Sequence, residues 1–508
     1  MIDSSVPTTA FRIRPLPWAG GLAAAILLGS AACATAPDRR AETGAPPPGG
    51  VGDSIPAGLL AESATAIRAA PAALGLADSA AAVEGRAPAG PPRILLGPMV
   101  GHTTDRSVRL WLQLDRPGRL EATVFGEDEE EEGEVDVRAE EGNVAVVEVD
   151  GLEPAQSFTA RFALDGNPLE AEPGVAFRTY SPEGEPGKFR IALVSCARMA
   201  WDSVQPIWTA IERDRPDVVV WLGDNNYFER GDSAAGILPD YASLERMAFR
   251  HAQLRAVPTL QPVLRTIPNV AIWDDHDYAG SDSDRTYPLR DGSAVLFTRY
   301  WANPYWGGPG LDGIWSQMRI GDVEIFLTDG RFWRDPSDAP ESPAKTMLGP
   351  AQKAWLEERL AESEARVKIV AVGVQFLADY HEWESYAKYA HERDELLAWI
   401  REKRIDGVVF VSGDRHLSEL MRYEPAEGYP LYELTASPAA NRPFVTGLDI
   451  PNPIRVDGFG AGFNYGLLDV DTTPAGGTIV FRIMDVEGKE VFAHAVPLDE
   501  LEFPGANR

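Results

Sequence analysis

Cysteine is almost missing from this chain. Of 508 residues, only Cys33 and Cys196 carry a thiol. That rules out the disulfide framework that staples small secreted scaffolds. Histidine is scarce too, with seven in all, so a centre built from many imidazoles is hard to assemble. Positive charge is the third shortage: Lys and Arg number 47 against 77 Asp and Glu, a formal net charge of -30. Such a surface disfavours binding of a nucleic-acid duplex, whose phosphates call for Lys and Arg. It leaves room for a small phosphate-bearing substrate wherever a metal ion reverses the local field. No long apolar run stands out as a membrane span; the best candidate, residues 18–32, is short and Ala-rich.

That same segment follows Arg12 and Arg14, so residues 1–36 read as an export signal. Two endings compete. Ser30-Ala31-Ala32-Cys33 is similar to a bacterial lipobox, with Ser where Leu is usual, and would put a lipid anchor on Cys33. Ala34-Thr35-Ala36 suits an ordinary signal peptidase. Either ending gives an exported protein: a periplasmic or secreted one, or a cell-envelope lipoprotein. With Cys33 lipidated or removed, Cys196 has no partner in the chain. A buried inert thiol and a functional one both remain open. Residues 37–92 are rich in Ala, Pro and Gly and read as a flexible tether, with a short helix near 59–73.

From residue 93 the texture changes. Ser107-Val108-Arg109-Leu110-Trp111-Leu112-Gln113 alternates polar and apolar at period two, as a half-buried strand does. Similar runs at 120–125, 143–149, 157–164 and 175–180 predict a small antiparallel β-sandwich over 93–182. The acidic run 127–132 is expected to be a solvated loop between two of its strands. Residues 187–500 change to an α/β pattern. Apolar strands are expected at 189–195, 218–222, 269–273, 322–328, 367–374 and 407–411. A helix is expected over 203–213, and another opens at Pro350 with Trp355, Leu356 and Leu360 on one side. Closing β structure follows over 430–495.

Four apolar runs end in polar clusters. These are Ser195-Cys196, Gly223-Asp224-Asn225-Asn226-Tyr227, Trp273-Asp274-Asp275-His276-Asp277 and Ser412-Gly413-Asp414-Arg415-His416. Sites in open α/β sheets assemble at the carboxyl ends of strands, so the clusters are candidates to converge. Singly, each reads equally well as a turn or a solvated acidic knot. The aromatic stretch Arg299 to Trp306 reads as packing beneath a loop rather than as a stacking platform. Tyr380-His381-Glu382-Trp383 is a candidate lining of a cleft.

With Thr328-Asp329-Gly330-Arg331 and Leu348-Gly349-Pro350-Ala351-Gln352, the set resembles the calcineurin-like metallophosphoesterase superfamily, and more closely the PhoD-type alkaline phosphatases. The sandwich beginning Gly97-Pro98-Met99-Val100 resembles that family's N-terminal domain, so the likeness covers roughly 93–500. It implies a metallophosphoesterase-type layered α/β catalytic domain and a two-metal phosphoesterase. Asp224 would bridge two ions. Cys196, Tyr227, Asp224 and His416 would hold the first, a donor set suited to Fe(3+). Asp224, Asp275 and Asp414 would hold the second, suited to Ca(2+). Gln375 and Asp414 stand where the wider superfamily commonly has His, which moves the second site away from zinc-like ions. A metal-bridging hydroxide would attack phosphorus, with His276 protonating the leaving group and Asp274 or Asp277 orienting its ring. Arg331, Arg415, Arg198 and Asn225 would grip phosphate oxygens. The implied activity is phosphomonoester hydrolysis, with a phosphodiesterase on the same metals as the alternative and a noncatalytic surface-binding module as the rival of another class.

Overall fold

Alternating side chains build the first part of the fold. Eight strands run in chain order: β1 Ile94–Thr103, β2 Ser107–Leu114, β3 Arg119–Phe125, β4 Glu131–Arg138, β5 Val144–Asp150, β6 Ser157–Leu164, β7 Asn167–Leu169 and β8 Val175–Arg178. They form two antiparallel sheets. One has the order β1-β2-β5; the other has β4-β3-β6-β7, with β8 also on β6. Leu110 and Leu112 meet Leu120, Val124, Phe158 and Phe162 in one apolar core between them. This computed structural model describes residues 90–505 apart from 129–130, 139–142, 172–173, 199–204, 229–237, 309, 311, 381–383 and 476. The export signal, nearly all of the tether with its short helix, and His381 to Trp383 lie outside the described residues.

Two features of this part differ from the sequence reading. The acidic run is not wholly a loop, because β4 begins at Glu131 and pairs with β3 from Arg119 to Phe125. Backbone pairing, with Val135 and Val137 packed against the core, overrides the poor strand propensity of its acids. And β2 is buried on both faces rather than one. Its odd-numbered face carries Trp111 into the core of the second part, where the indole Nε1 donates to Arg299 O at 2.7 Å.

The second part uses thirteen further strands: β9 Lys188–Val194, β10 Val218–Leu222, β11 Asn269–Ile272, β12 Ser316–Ile320, β13 Val323–Leu327, β14 Val367–Ala371, β15 Val408–Ser412, β16 Ser418–Tyr423, β17 Leu431–Thr435, β18 Arg455–Phe459, β19 Asn464–Asp471, β20 Thr478–Asp485 and β21 Glu490–Pro497. One sheet has the order β11-β10-β9-β19-β20-β21, the other β12-β13-β14-β15-β17-β16-β18. β9, β10 and β11 run parallel, as do β13, β14, β15 and β17. These parallel strands are almost entirely buried, which is why they read as unbroken apolar runs. Both sheets feed one apolar core.

The carboxyl ends of the two parallel sets meet. Gly413, after β15, approaches Ser195, after β9, so closely that a Cβ there would come within 2.7 Å of the serine Cβ. The loops after β9 and β17 are also laced together: Ala439 N donates to Ser195 O at 2.8 Å, and Arg198 N to Ala440 O at 3.0 Å.

Tyr300 and Trp301 of the aromatic stretch are core and form the junction with the sandwich, while Tyr305 is exposed. Trp301 packs on Trp221 at 5.3 Å and Tyr300 on Trp111 at 5.9 Å. His102 N donates to Ala302 O at 2.8 Å. Arg255, 1% exposed, places its guanidinium 4.9 Å from Trp111, 5.1 Å from Tyr300 and 4.7 Å from Trp301. Ring faces and carbonyl oxygens, not a carboxylate, surround that charge.

Candidate metal centre

The loop after β10 is built residue by residue. Gly223 has φ +95° and its Cα lies against Asp274, so neither the conformation nor the space admits a side chain. Asn225 is pinned to the neighbouring strand end: its Nδ2 donates to Ile272 O at 2.8 Å and Asp277 Oδ2 at 2.6 Å. Asn226 Nδ2 lies 3.1 Å from His251 Nδ1 in the core. With both asparagines held, Asp224 and Tyr227 are presented together, and the Tyr227 hydroxyl donates to Asp224 Oδ2 at 3.1 Å.

Two other strand ends meet them. Cys196 Sγ lies 3.4 Å from Asp224 Oδ2 and accepts from Ser437 Oγ at 3.2 Å. His416 Nε2 is 3.1 Å from the Tyr227 hydroxyl. Cys196, Asp224 and His416 each offer one donor atom within 4.8 Å of the others. Cys196, Asp224, Asp414 and His416 all sit at φ between 52° and 65°. Left-handed backbone costs a non-glycine residue about 1–2 kcal/mol. Four such residues around one point mean that the surrounding hydrogen bonds hold the donors in place against local preference.

On its other side, Asp224 joins Asp275 and His276 in a second group of donors within 4.8 Å. Asp275 opens a short helix and accepts from Asp282 N at 2.7 Å. His276 stacks on Tyr227 at 4.3 Å, with its Nε2 3.9 Å from Asp275 Oδ1 and its side chain 19% exposed. A third group gathers Asp274, Asp275, Glu384 and Asp414. Every residue expected to hold a metal is therefore brought to one place, and Asp224 belongs to two of the groups.

Several expected roles change. Arg331, expected at phosphate, is held by carboxylates. It is fully buried, donating through Nε to Asp274 Oδ1 at 2.7 Å and through Nη1 and Nη2 to Glu384 at 2.9 and 2.6 Å. Those carboxylates absorb the donors that a phosphate would need. Asn225 has likewise spent both amide protons on Ile272 and Asp277. Asp274 and Asp277, expected beside the His276 ring, have other partners as well. Asp277 caps the short helix through Asp274 N at 2.6 Å and holds Asn225, while Asp274 holds Arg331. Gln375 donates to Glu419 Oε1 at 2.6 Å and Thr435 Oγ1 at 2.9 Å, and accepts from the Tyr380 hydroxyl. Arg415 lies over the Tyr380 ring at 5.4 Å and Arg198 over Tyr227 at 5.3 Å. Glu384 was absent from the sequence reading; its only signal was its place directly after the Tyr380 to Trp383 stretch.

Burial governs the electrostatics. It pushes the Cys196 thiol up to about 11 and Asp414 up to about 7, and it lifts Asp224 and Tyr227 well above their ordinary ranges. Burial also presses His416 down to about 4, which keeps its imidazole neutral and able to ligate. Asp275 is the exception: burial pushes it up, but His276 and Arg331 outweigh that and hold it below the usual carboxylate range. Asp274 Oδ2 and Asp275 Oδ1 are buried with no hydrogen-bond partner among the described residues. Orphaned carboxylate oxygens are costly unless a cation serves them, so the donor set fits metal ions.

A family model described as PhoD-like phosphatase matches residues 191–450, just over half of the chain. The chain belongs to the PhoD-like phosphatase family. A second model, a domain of unknown function (DUF7800), matches residues 91–182. Alkaline phosphatase D of Bacillus subtilis (strain 168) is 24% identical over 313 residues, covering 54% of this chain and 53% of that protein. The chain thus spans about half the length of that curated relative. A solved structure of PhoD superposes with a TM-score of 0.65 at 19% identity, over 78% of this chain and 88% of that one. Purple acid phosphatase PPD1 from yellow lupin (Lupinus luteus) seeds superposes at 0.57 with 11% identity, over 79% and 74%. Both share the fold, so the layered α/β reading, preceded by antiparallel sheets, holds for this member of the PhoD-like family.

Proposed function

We propose that this protein is an exported, metal-dependent phosphoesterase that hydrolyses phosphomonoesters, with phosphodiesters as the alternative on the same centre. One observation carries the reading: Asp224 is common to a Cys196–His416 donor group and to an Asp275–His276 donor group. A carboxylate with two oxygens between two donor sets is what a two-ion centre needs. The soft, anionic set of Cys196 and Tyr227 suits Fe(3+), and the all-oxygen set around Asp275 and Asp414 suits Ca(2+). Bound there, the ions would supply Lewis acidity toward phosphoryl oxygens and toward a nucleophilic water.

The chain's own residues supply the rest. His276, half-buried beside the donors, holds the proton that the leaving alkoxide takes up. Arg415 and Arg198, each steadied on a tyrosine face, flank the centre and receive phosphate oxygens. Export rests on residues 1–36 of the sequence, with Cys33 as the point of a lipid anchor where the lipobox is used.

The test is the visible spectrum of purified protein and of Tyr227→Phe, together with hydrolysis of p-nitrophenyl phosphate and its bis-ester. A broad visible band lost in the variant, with faster turnover of the monoester, is the expected result. A colourless active protein removes iron from the reading. A metal-replete protein that turns over neither ester removes the enzyme.

A further inference from the structure

The second ion's expected ligands are Asp224, Asp275 and Asp414. The structure gathers two more carboxylates beside Asp275 and Asp414. Asp274, Asp275, Glu384 and Asp414 each offer an oxygen within 4.8 Å of the other three. Asp274 is 1% exposed and its two oxygens are treated differently. Oδ1 accepts from Arg331 at 2.7 Å, while Oδ2 is buried and has no hydrogen-bond partner among the described residues. Gly373 has no room for a side chain on that side, since a Cβ there would stand 2.4 Å from Asp274 Oδ1. Arg331 grips both oxygens of Glu384, and Arg334 adds a second guanidinium to it.

The arginine is itself fixed from behind. Asp329 accepts from Arg331 N at 2.9 Å, Phe332 N at 3.0 Å and Trp273 Nε1 at 2.6 Å. The two guanidinium groups offset part of the charge of carboxylates that alone would repel one another. A wall of several protein carboxylates fits calcium, which takes about 6–8 oxygens, better than magnesium, which is bound through one or two carboxylates and keeps its waters.

We propose that Asp274 and Glu384 complete the oxygen pocket of the second ion, and that Arg331 is the positioning residue that aims both. This rests on the two-ion reading above and assigns Arg331 to the metal rather than to phosphate. A bidentate fork is needed because one cation must hold two carboxylates apart at fixed angles; a lysine ammonium keeps the charge but not the geometry.

The test is calorimetric titration with Ca(2+) of full-length protein from which calcium has been stripped by a chelator, with the first ion's content and the unfolding temperature followed in parallel. Asp274→Asn, which is isosteric, is expected to weaken calcium binding by about 10-fold or more while the first ion stays in place. Arg331→Met should do the same although Asp274 is present, and Arg331→Lys should fall between. Calcium binding by Asp274→Asn equal to the wild type, with only a lowered unfolding temperature, would overturn the proposal and leave a structural ion pair. If Arg331→Met fails to fold, Asp274→Asn decides alone. Wild-type protein that takes up no calcium would sink the second ion of the centre as well, which separates the two failures.

Discussion

On one side of Asp224 the donors are a thiol, a phenol and an imidazole; on the other they are mostly carboxylates, with His276 beside them. The first side is aimed by the main chain. Cys196, Asp224 and His416 hold left-handed backbone angles, and neighbouring hydroxyl groups such as Ser437 support them. The second side depends more on side chains, with Arg331 and Arg334 spanning Asp274 and Glu384. The difference follows from charge. Carboxylates crowd charge whenever they ionise, and fixed cations between them offset that repulsion. Left-handed backbone aims donors on both sides, Asp414 included, but ion pairs are added where the carboxylates gather.

The most severe way to break this comparison is to remove the residue both sides share. Asp224→Asn should lower kcat/KM for p-nitrophenyl phosphate by about 10^3-fold, since each tenfold is about 1.4 kcal/mol and a shared metal ligand is worth several. The content of both ions should fall together; loss of only one would show that Asp224 serves a single side. His276→Gln should lower kcat by about 10^2-fold on alkyl phosphates, less on nitrophenyl phosphates whose leaving group needs no proton. Equal losses on both substrates would assign His276 to binding.

A further effect bears on stability and not on turnover. Glu433 accepts from Phe376 N and Leu377 N, and burial pushes its pKa up to about 7. A carboxyl raised in the folded state keeps its proton while the unfolded chain releases it. Stability should therefore fall as pH rises from about 4.5 to about 7 and then level off, by on the order of 3 kcal/mol from this group. Glu433→Gln should flatten that part of the denaturation profile. An unchanged slope would place the titration elsewhere.

Much of the centre was legible in the sequence, and for a physical reason. Parallel strands buried on both faces leave apolar runs with abrupt polar ends, so Cys196, Asp224, Asp275 and Asp414 announced themselves by position. Glu384 did not, because it follows no such strand and is brought in by a loop. Arg331 was visible as a residue but not in its role: a guanidinium reads the same in sequence whether it meets phosphate or buried carboxylates, and only tertiary burial decides. In the sandwich, β4 was hidden because its acids argue against a strand that backbone pairing nevertheless makes. The helix Ala390–Lys403 was missed because its buried stripe is thin: Leu396 and Ile400 are its buried apolar residues, and the position four before Leu396 on the same face is Glu392.

The shelter around Arg255 bears on how such a chain can be rearranged. Its guanidinium is wrapped by Trp111 from the sandwich and by Tyr300 and Trp301 from the α/β part, all within one compact unit. A crossover placed between residues 182 and 188 would look clean on paper, since it severs no strand. It would still strand a charge on one fragment and an indole on the other, so the sandwich can be exchanged between relatives only together with the residues that face Trp111.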